Sequence, residues 1–228
     1  VEDNVVLTAR VLEYAHASKN LKRFVYISSG EVYGPNDTPR GSWTERNIFN
    51  CRSPYSGTKA AGEMLVSSWA QCYNIPSVIL RAQNIYGPRQ MPGKFFSLVV
   101  NAILNNETIT LHGNSEGETD SRAWLHAEDC ARAIEFLLDY PMANNVDTFN
   151  LGGELETNLL YTAQYIGELL GKELKYEVKS ADRPGHGARY SVSSEKILCS
   201  GFIPKYTYHG GIEQFVQWAQ QNTEWLQR

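Results

Sequence analysis

The sequence predicts an α/β protein in which a parallel, doubly wound sheet forms a first lobe and shorter, mixed elements form a second. In the first 81 residues the pattern alternates helix, strand, helix and strand, which suits right-handed crossovers between parallel neighbours. The two strand patterns, Arg23–Ser29 and Ser77–Arg81, are short apolar runs of the kind that is buried on both faces. After about Gln83 the elements become shorter and more mixed, so we place the boundary between the lobes at residues 82 and 83.

Two amphipathic helices are predicted to pack against these strands. The segment Val5–Ser18 repeats apolar residues at helical spacing. A loop rich in Gly, Pro, Asn and Asp runs from Gly34 to Gly41, and Pro54 then opens a helix over Tyr55–Tyr73. We expect this second helix to bury a core stripe of five apolar side chains, namely Ala60, Ala61, Met64, Leu65 and Trp69.

The second lobe is predicted to alternate helices and strands after a loop over residues 84–93. The helices are predicted at Lys94–Asn105, Ala127–Tyr140, Asn158–Leu170 and from about Gly211 to Leu226. The strands are predicted at Thr108–His112, near Arg122–Leu125, and in the segments TFNLGG (148–153) and ELKYEVK (173–179). We expect residues 83–228 to form mainly this lobe, with some segments returning to the parallel sheet.

The composition excludes several function classes. A net charge of −4 over 228 residues gives no basic footprint for nucleic acid, and no apolar run approaches the length of a membrane span. The four cysteines show no metal-binding spacing, so we expect reduced thiols in a cytoplasmic protein and no metal site. His112 and His209 have no distinctive neighbours in the sequence and are interpreted as structural or solvated.

A tyrosine and a lysine at the start of the second helix give the main chemical signal. Tyr55 and Lys59 are four residues apart, so their side chains leave the same helix face. A free phenol has a pKa of about 10, and a nearby cation lowers the pKa of an acid by roughly 1–3 units. A phenol tuned in this way can take the proton of a substrate alcohol, which the hydroxyl of Ser28 or Ser29 would also contact. An isolated pair with this spacing is more often a solvated helix face.

This pair is accompanied by further motifs in a defined order. SSGEVYG occupies residues 28–34, PYSGTK residues 54–59 and RAQNIYGP residues 81–88. DSRAWLHAEDCARAI (120–134), FNLGG (149–153) and DRPGHGARY (182–190) follow. Together they resemble the extended short-chain dehydrogenase/reductases, and within them the NAD-dependent epimerase/dehydratase family. The resemblance covers the whole chain and is greatest to the nucleotide-sugar 4,6-dehydratases that act on dTDP-glucose.

The resemblance implies a Rossmann-like first lobe with NAD as the cofactor, a nucleotide-sugar substrate and a homodimer formed through two helices of each subunit. It also implies oxidation of the sugar at C4 followed by 4,6-dehydration. The positions that match catalytic residues are Ser29, Glu31, Tyr55 and Lys59. Those that match cofactor contacts are Ser28, Tyr55, Lys59 and Asn84. Those that match substrate contacts are Ser29, Asn84, Lys94, Arg122, Asn150, Arg183 and His186.

The chain departs from the family pattern at its beginning. The family starts with a strand and a G-x-x-G-x-x-G loop that holds the cofactor pyrophosphate at a helix N-terminus. Neither this loop nor the acidic residue that contacts the ribose occurs in this sequence, which starts with Val1 inside a helical pattern. We therefore expect a fragment that is inactive alone and whose Rossmann-like lobe lacks its N-terminal half.

A second departure concerns the acid that assists the loss of water. The dehydratases carry Thr-Asp-Glu where this chain has Ser29, Gly30 and Glu31. Glu31 keeps a base for the proton at C5, whereas Gly30 removes an acid whose contribution is typically about 10²–10⁴-fold. We expect that aspartate at position 30 raises dehydratase activity. The alternatives are a nucleotide-sugar decarboxylase or epimerase and, in another class, a non-catalytic nucleotide-sugar-binding fragment.

Overall fold

The computed structural model describes residues 1–36, 41–181 and 184–227. Its helices are α1 (Leu7–Ala17), α2 (Pro54–Tyr73), α3 (Phe95–Leu104), α4 (Ala127–Asp139), α5 (Leu159–Leu170), α6 (Glu195–Cys199), α7 (Tyr208–Gln221) and α8 (Thr223–Leu226). Its strands are β1 (Phe24–Ser29), β2 (Ser77–Ala82), β3 (Ile85–Tyr86), β4 (Thr108–His112), β5 (Ser121–Ala123), β6 (Leu125–His126), β7 (Val146–Leu151), β8 (Glu156–Asn158), β9 (Lys175–Lys179) and β10 (Arg189–Tyr190). A π-helical turn, Glu2–Val6, precedes α1, and a 3₁₀ turn, Gly30–Tyr33, follows β1.

The parallel sheet has the strand order β1, β2, β7. Both pairings are parallel, and the register aligns Ser29 of β1 with Ala82 of β2 and Leu151 of β7, so all three strands end at one edge. All six residues of β2 are buried, as expected for a central strand with both faces covered. The predicted α/β fold with a parallel sheet is therefore confirmed. Because β7 lies beyond residue 83, a later segment of the chain returns to this sheet.

The remaining strands of the described residues form three smaller sheets. β5 lies between β10 and β8, β3 pairs with β6, and β4 pairs with β9. The single strand predicted near Arg122–Leu125 is thus two strands, β5 and β6, in different sheets. β3, β8, β10 and α6 were not predicted, because segments of two to five residues are too short to show a period.

Two large apolar clusters divide the core. One packs β2 and β7 against α4 and includes the buried side chains Leu80, Leu137 and Phe149. The other joins α3, α5 and α7 and includes the fully buried Phe96 and Phe215. The first cluster packs α4 against one face of the sheet. The second forms a separate core among the helices α3, α5 and α7.

The helix α2 buries a face that matches the predicted one only in part, with Leu65 and Trp69 packed against a core cluster. Ala60 is buried as expected, but Met64 is 55% exposed, and the remaining three residues of the predicted stripe are only half-buried. The buried face instead contains Glu63, which is 0% exposed, together with Val66 and Ala70. Hydrophobic patterning missed this face because it assigns a carboxylate to solvent. The predicted core stripe is therefore wrong at Met64.

Glu63 is buried in a bidentate ion pair with Arg81 of β2. Arg81 Nη2 lies 2.6 Å from Glu63 Oε2, and Arg81 Nε lies 3.0 Å from each carboxylate oxygen. Ser28 Oγ donates to Glu63 Oε1 at 2.5 Å. On the other side, Arg81 Nη1 donates to the hydroxyl of Tyr33, and Tyr33 donates to Asn150 Oδ1 at 2.9 Å. This network connects α2 to the carboxyl ends of all three strands of the sheet.

The sequence predicts reduced cysteines and no membrane-spanning segment. All four cysteines are free, and only Cys130 is buried. Across the described ranges, no helix combines the length and the apolar character that crossing a membrane requires.

We predict that Arg81→Met strongly destabilises the protein, because it leaves the carboxylate of Glu63 buried without its cation. Breaking a buried pair in this way costs about 3–5 kcal/mol of unfolding free energy. Urea denaturation of the chain measures the change. The control is Lys205→Met, which breaks a solvent-exposed pair with Glu128 and is expected to change the midpoint little. Equal losses in the two variants would contradict the structural role of the buried pair.

Candidate active site

A cleft of about 550 Å³ opens at the carboxyl edge of the sheet, where β1 and β2 end. Its walls come from these strand ends, the first turns of α2, the loop after β2 and the start of α3. Ligands of open parallel sheets bind at this edge because the strand ends and the following turns converge there. The cleft brings together seven side chains predicted from the sequence, namely Ser28, Ser29, Glu31, Tyr55, Lys59, Asn84 and Lys94.

Ser29 determines how the chain leaves β1 and enters the cleft. Its backbone is still extended, and its Oγ accepts a hydrogen bond from the backbone N–H of Glu31 at 3.2 Å. This bond caps the 3₁₀ turn Gly30–Tyr33 and turns Glu31 to the cleft wall. Ser29 therefore caps the turn after β1 and also lines the cleft.

The start of α2 is fixed by a capping box. Ser53 Oγ accepts from the backbone N–H of Ser56, Ser56 Oγ accepts from that of Ser53, and both distances are 3.1 Å. Pro54 occupies the first helical position, where its missing N–H costs no hydrogen bond. Because the helix begins at a defined residue, Tyr55 and Lys59 fall on successive turns of the face that lines the cleft.

The pKa of Tyr55 is shifted in the direction opposite to the one expected. Tyr55 is 46% exposed, and its partial burial raises the pKa of the phenol above its usual value; the nearby hydroxyl of Ser29 lowers this pKa, and the carboxylate of Glu31 raises it further. The balance is a raised pKa, because loss of water contact penalises the phenolate. The sequence argument counted the charge of Lys59 and omitted this desolvation.

Lys59 is held by the sheet and not by the phenol. Its Nζ donates to the backbone carbonyl of Ile27 at 2.9 Å and lies 5.4 Å from the ring centre of Tyr26. Burial lowers the pKa of Lys59, and the carboxylate of Glu63 one turn later raises it. The ammonium therefore stands on the cleft wall at a position that the end of β1 defines.

The hydroxyl proton of Ser28 is used in a hydrogen bond to Glu63. Ser28 is 5% exposed and donates to Glu63, so its oxygen retains only the capacity to accept. A ligand that contacts Ser28 must therefore supply the donor.

Arg122 and His186 lie outside the lining of the cleft and meet at Asp120. Arg122 Nη2 lies 3.3 Å and His186 Nε2 lies 2.6 Å from the same carboxylate oxygen, Asp120 Oδ2. Burial lowers the pKa of Arg122, while Asp120 and, more weakly, Glu31 raise it. Of these two carboxylates, Glu31 lines the cleft and Asp120 does not.

His112 has neighbours that its sequence context did not indicate. Its ring packs edge-on against His186, with 5.6 Å between the ring centres. His112, Asp120 and His186 each offer a ligand atom, and these atoms lie within 4.8 Å of one another. We assign no ion to this group, because the Asp120 oxygen already accepts from Arg122, whose positive charge opposes a second cation there.

Asn150 is a further predicted substrate residue that does not line the cleft. Asn150 is 0% exposed in β7; its Oδ1 accepts from Tyr33, and its Nδ2 donates to the carbonyl of Trp43 at 3.0 Å. Both ends of this amide are paired inside the protein, so Asn150 has a structural role in the sheet, and its contact with a substrate stays a prediction. Arg183 lies outside the described residues.

The sequence analysis missed the buried network behind the cleft. Glu63, Arg81 and Tyr33 are each less than 7% exposed, and each bonds a residue of the cleft or its support. Two signals were present: Arg81 closes a buried apolar strand, and Glu63 follows Lys59 by four residues. A charge inside a buried strand needs a partner of opposite sign, and Glu63 is that partner.

Comparison with known proteins assigns the family. Residues 1–152 match the model of the NAD dependent epimerase/dehydratase family, which is more than half of the chain. The chain belongs to this family. Its members are NAD-dependent, and the solved structures that it resembles are complexes with NAD.

The similarity extends to complete proteins of the family. The chain is 32% identical to dTDP-glucose 4,6-dehydratase 1 of Escherichia coli K12, over 99% of this chain and 68% of that protein. It superimposes on the dTDP-glucose 4,6-dehydratase of Bacillus anthracis in complex with NAD with a TM-score of 0.87, at 32% identity, covering 98% of this chain and 69% of that one. It also resembles the UDP-glucuronic acid 4-epimerase of Bacillus cereus in complex with UDP-glucuronic acid and NAD, with a TM-score of 0.85, 26% identity and coverage of 96% and 67%. The chain thus spans about two thirds of the length of these family members.

The cleft fits the nicotinamide half of the family's cofactor. Asn84 stands on its wall with a left-handed backbone (φ 41°), and its Nδ2 is buried without a hydrogen-bond partner in the structure. A buried amide donor without a partner is costly unless a ligand acceptor meets it. Tyr55 and Lys59 add a phenol and an ammonium to the lining of the same cleft, so the donors suit the ribose and amide oxygens of NAD.

We predict that the two neighbours of Tyr55 shift its pKa in opposite directions. In the chain without NAD, Ser29→Ala should raise the Tyr55 pKa, since it removes the hydroxyl that lowers it. Glu31→Gln should lower it, since it removes a negative charge. NMR titration of ring-labelled tyrosine measures both shifts, with Tyr55→Phe assigning the signal among 13 tyrosines. Shifts in the same direction, or an unmodified chain titrating below about 10, would contradict the electrostatics of this cleft.

Proposed function

We propose that this chain belongs to an enzyme that oxidises a nucleotide-sugar at C4 and continues with 4,6-dehydration, as dTDP-glucose 4,6-dehydratases do. The observation that carries the proposal is the convergence of Ser29, Glu31, Tyr55 and Lys59 on one cleft at the carboxyl edge of the sheet. A base for an alcohol and a separate base for a carbon acid in one cleft are what two successive proton removals require.

The first step depends on Tyr55, Ser29 and Lys59. Ser29 and Tyr55 would bond the C4 hydroxyl of the sugar, and Tyr55 would take its proton. When bound, NAD supplies the hydride acceptor and, in its oxidised form, a positive charge that favours the phenolate. Lys59 adds a cation to the same cleft, held in place by the carbonyl of Ile27.

The second step depends on Glu31. Oxidation at C4 makes the neighbouring C5 proton acidic, and the carboxylate of Glu31 would remove it. Departure of the C6 hydroxyl then needs an acid, and Gly30 cannot supply one. For this reason decarboxylation or epimerisation, which also proceed through a 4-keto sugar, is the second candidate outcome.

We propose that the nucleotide diphosphate contacts the later part of the chain, mainly within residues 83–228. Lys94 is exposed on the cleft wall directly before α3, and its ammonium is accessible to an anion. Arg122 and His186 follow further along, with Asp120 orienting both. Arg183 keeps this role as a proposal from the sequence alone.

We further propose a cytoplasmic homodimer. Exposed apolar side chains lie on α1 and α2, the two helices on one face of the sheet, and include Leu7, Val11, Tyr14, Met64 and Tyr73. A second copy that covers this surface would remove it from water. Sedimentation velocity of the native protein measures the oligomeric state directly.

A non-catalytic nucleotide-sugar binder is the alternative of another class. A binder needs the diphosphate contacts but has no use for a base at C5, so Glu31 distinguishes the two functions. We expect the native protein carrying this chain to exchange the C5 hydrogen of dTDP-glucose with deuterium from solvent. Glu31→Gln should abolish this exchange, because the amide cannot accept the proton.

The matched control for this experiment is Glu173→Gln, an exposed carboxylate in the turn before β9. It should leave the exchange, followed by mass spectrometry, unchanged. Bound sugar nucleotide without any exchange in the unmodified protein would favour the binder.

We predict that a polypeptide of only these 228 residues binds NAD weakly and is inactive alone. Its sequence contains no G-x-x-G-x-x-G loop, and backbone N–H groups of such a loop provide much of the grip on the pyrophosphate. Isothermal titration calorimetry with NAD measures the affinity. Binding in the micromolar range would show that the nicotinamide half of the cleft suffices.

A further inference from the structure

The backbone at position 30 does not require glycine. Gly30 lies in the 3₁₀ turn after β1, and its φ angle is not positive. A Cβ built on it would meet one side chain first: its three nearest heavy atoms are Cγ, Nε2 and Cδ of Gln83, at 2.6, 2.8 and 3.0 Å. Such separations are too short for non-bonded atoms. A side chain at position 30 and the present rotamer of Gln83 therefore exclude each other.

Gln83 is held in this place by its own contacts. It is 4% exposed, and its Oε1 accepts from the backbone N–H of Val192 at 3.2 Å. Its backbone N–H donates to the carbonyl of Leu151 at 3.0 Å, which fixes the start of the side chain against β7. Moving the side chain away would leave the buried N–H of Val192 without its acceptor.

Gly30 and Gln83 lie next to residues that line the cleft. Gly30 is flanked in the chain by Ser29 and Glu31, and Gln83 is flanked by Ala82 and Asn84. All four flanking residues line the cleft. Side-chain atoms in the space between positions 30 and 83 therefore lie next to the residues that we propose to act on the sugar.

We infer that Gln83 is a specificity-determining residue, whose side chain occupies the space that an acid at position 30 would need. This inference rests on the proposed function. Loss of water transfers the C5 proton to Glu31 and places the C5 electron pair in a C5=C6 double bond. The C6–O bond breaks with its electron pair going to oxygen, which needs a second proton. The hydride removed from C4 must then return to C6, with a proton to C5, to give a 4-keto-6-deoxy product. A primary amide does not give up a proton at neutral pH, so the Gly30–Gln83 pair supplies no acid for the departing C6 oxygen and is expected to slow the dehydration relative to proton removal at C5.

The inference changes what is expected of aspartate at position 30. Gly30→Asp alone must displace Gln83, and such overpacking should lower the melting temperature by roughly 3–10 °C. In the Gln83→Ala background the same substitution has room, and its effect should fall to less than about half of that. The control is Gly93→Asp, where a Cβ meets nothing within 4 Å, and little change is expected. Thermal unfolding of the chain measures all four variants without substrate or cofactor.

The chemical readout uses the native protein that carries this chain, with dTDP-glucose as the probe. It is the ratio of 4-keto-6-deoxy product released to deuterium exchanged at C5. Gly30→Asp/Gln83→Ala should raise this ratio at least about tenfold over the unmodified protein, because it alone combines the acid with space for it. Gly30→Asp with Gln83 present should not.

Three results would overturn the inference. They are equal thermal effects of Gly30→Asp in both backgrounds, an equal rise of the ratio in the single and double variants, and a double variant that exchanges at C5 without any rise. If the unmodified protein shows no exchange at all, the proposed function fails. The thermal comparison then still decides whether Gln83 and a side chain at position 30 compete for one space.

Discussion

The buried ion pair between Glu63 and Arg81 determines where the cleft can form. An uncompensated carboxylate in this interior would cost several kcal/mol, so α2 must dock with the rotation that brings Glu63 to the guanidinium of β2. Tyr55, Lys59 and Glu63 follow one another at intervals of four residues along the same face of α2. The rotation that pairs Glu63 therefore also brings Lys59 to the carbonyl of Ile27 and Tyr55 to the cleft wall.

Burial has opposing consequences in this cleft. The backbone carbonyl of Ile27 gives the ammonium of Lys59 a defined position, while partial burial makes the charged forms of both groups less favourable, which raises the pKa of Tyr55 and lowers that of Lys59. The chain by itself thus holds Tyr55 as a neutral phenol at neutral pH. In the proposed reaction a positive charge must be brought to the cleft before this phenol can act as a base. Binding of a positively charged group and proton transfer are therefore coupled through the pKa of Tyr55.

Much of the fold was predictable because the signals were periodic and long. The helices α1 to α5 and the strands β1 and β2 were predicted to within a few residues, since each shows a sustained apolar pattern or a clear cap. The residues of the cleft were predictable as well, because parallel strands end at one edge and their turns carry the motif residues. Short strands such as β8 and β10 exist only through their neighbours, and no local pattern indicates them.

The sequence by itself determined the α/β class, the family and the group Ser29, Glu31, Tyr55 and Lys59, because these depend on local spacing and order along the chain. Tertiary structure decided everything that depends on desolvation and contact between distant segments. Only there does Glu63 become a core residue, Asn150 become a paired member of the sheet, and Gln83 occupy the space beside Gly30. The physical reason is that the free energy of a charge, an amide or a missing side chain depends on which atoms surround it, and residues 18 to 117 positions apart supply those atoms.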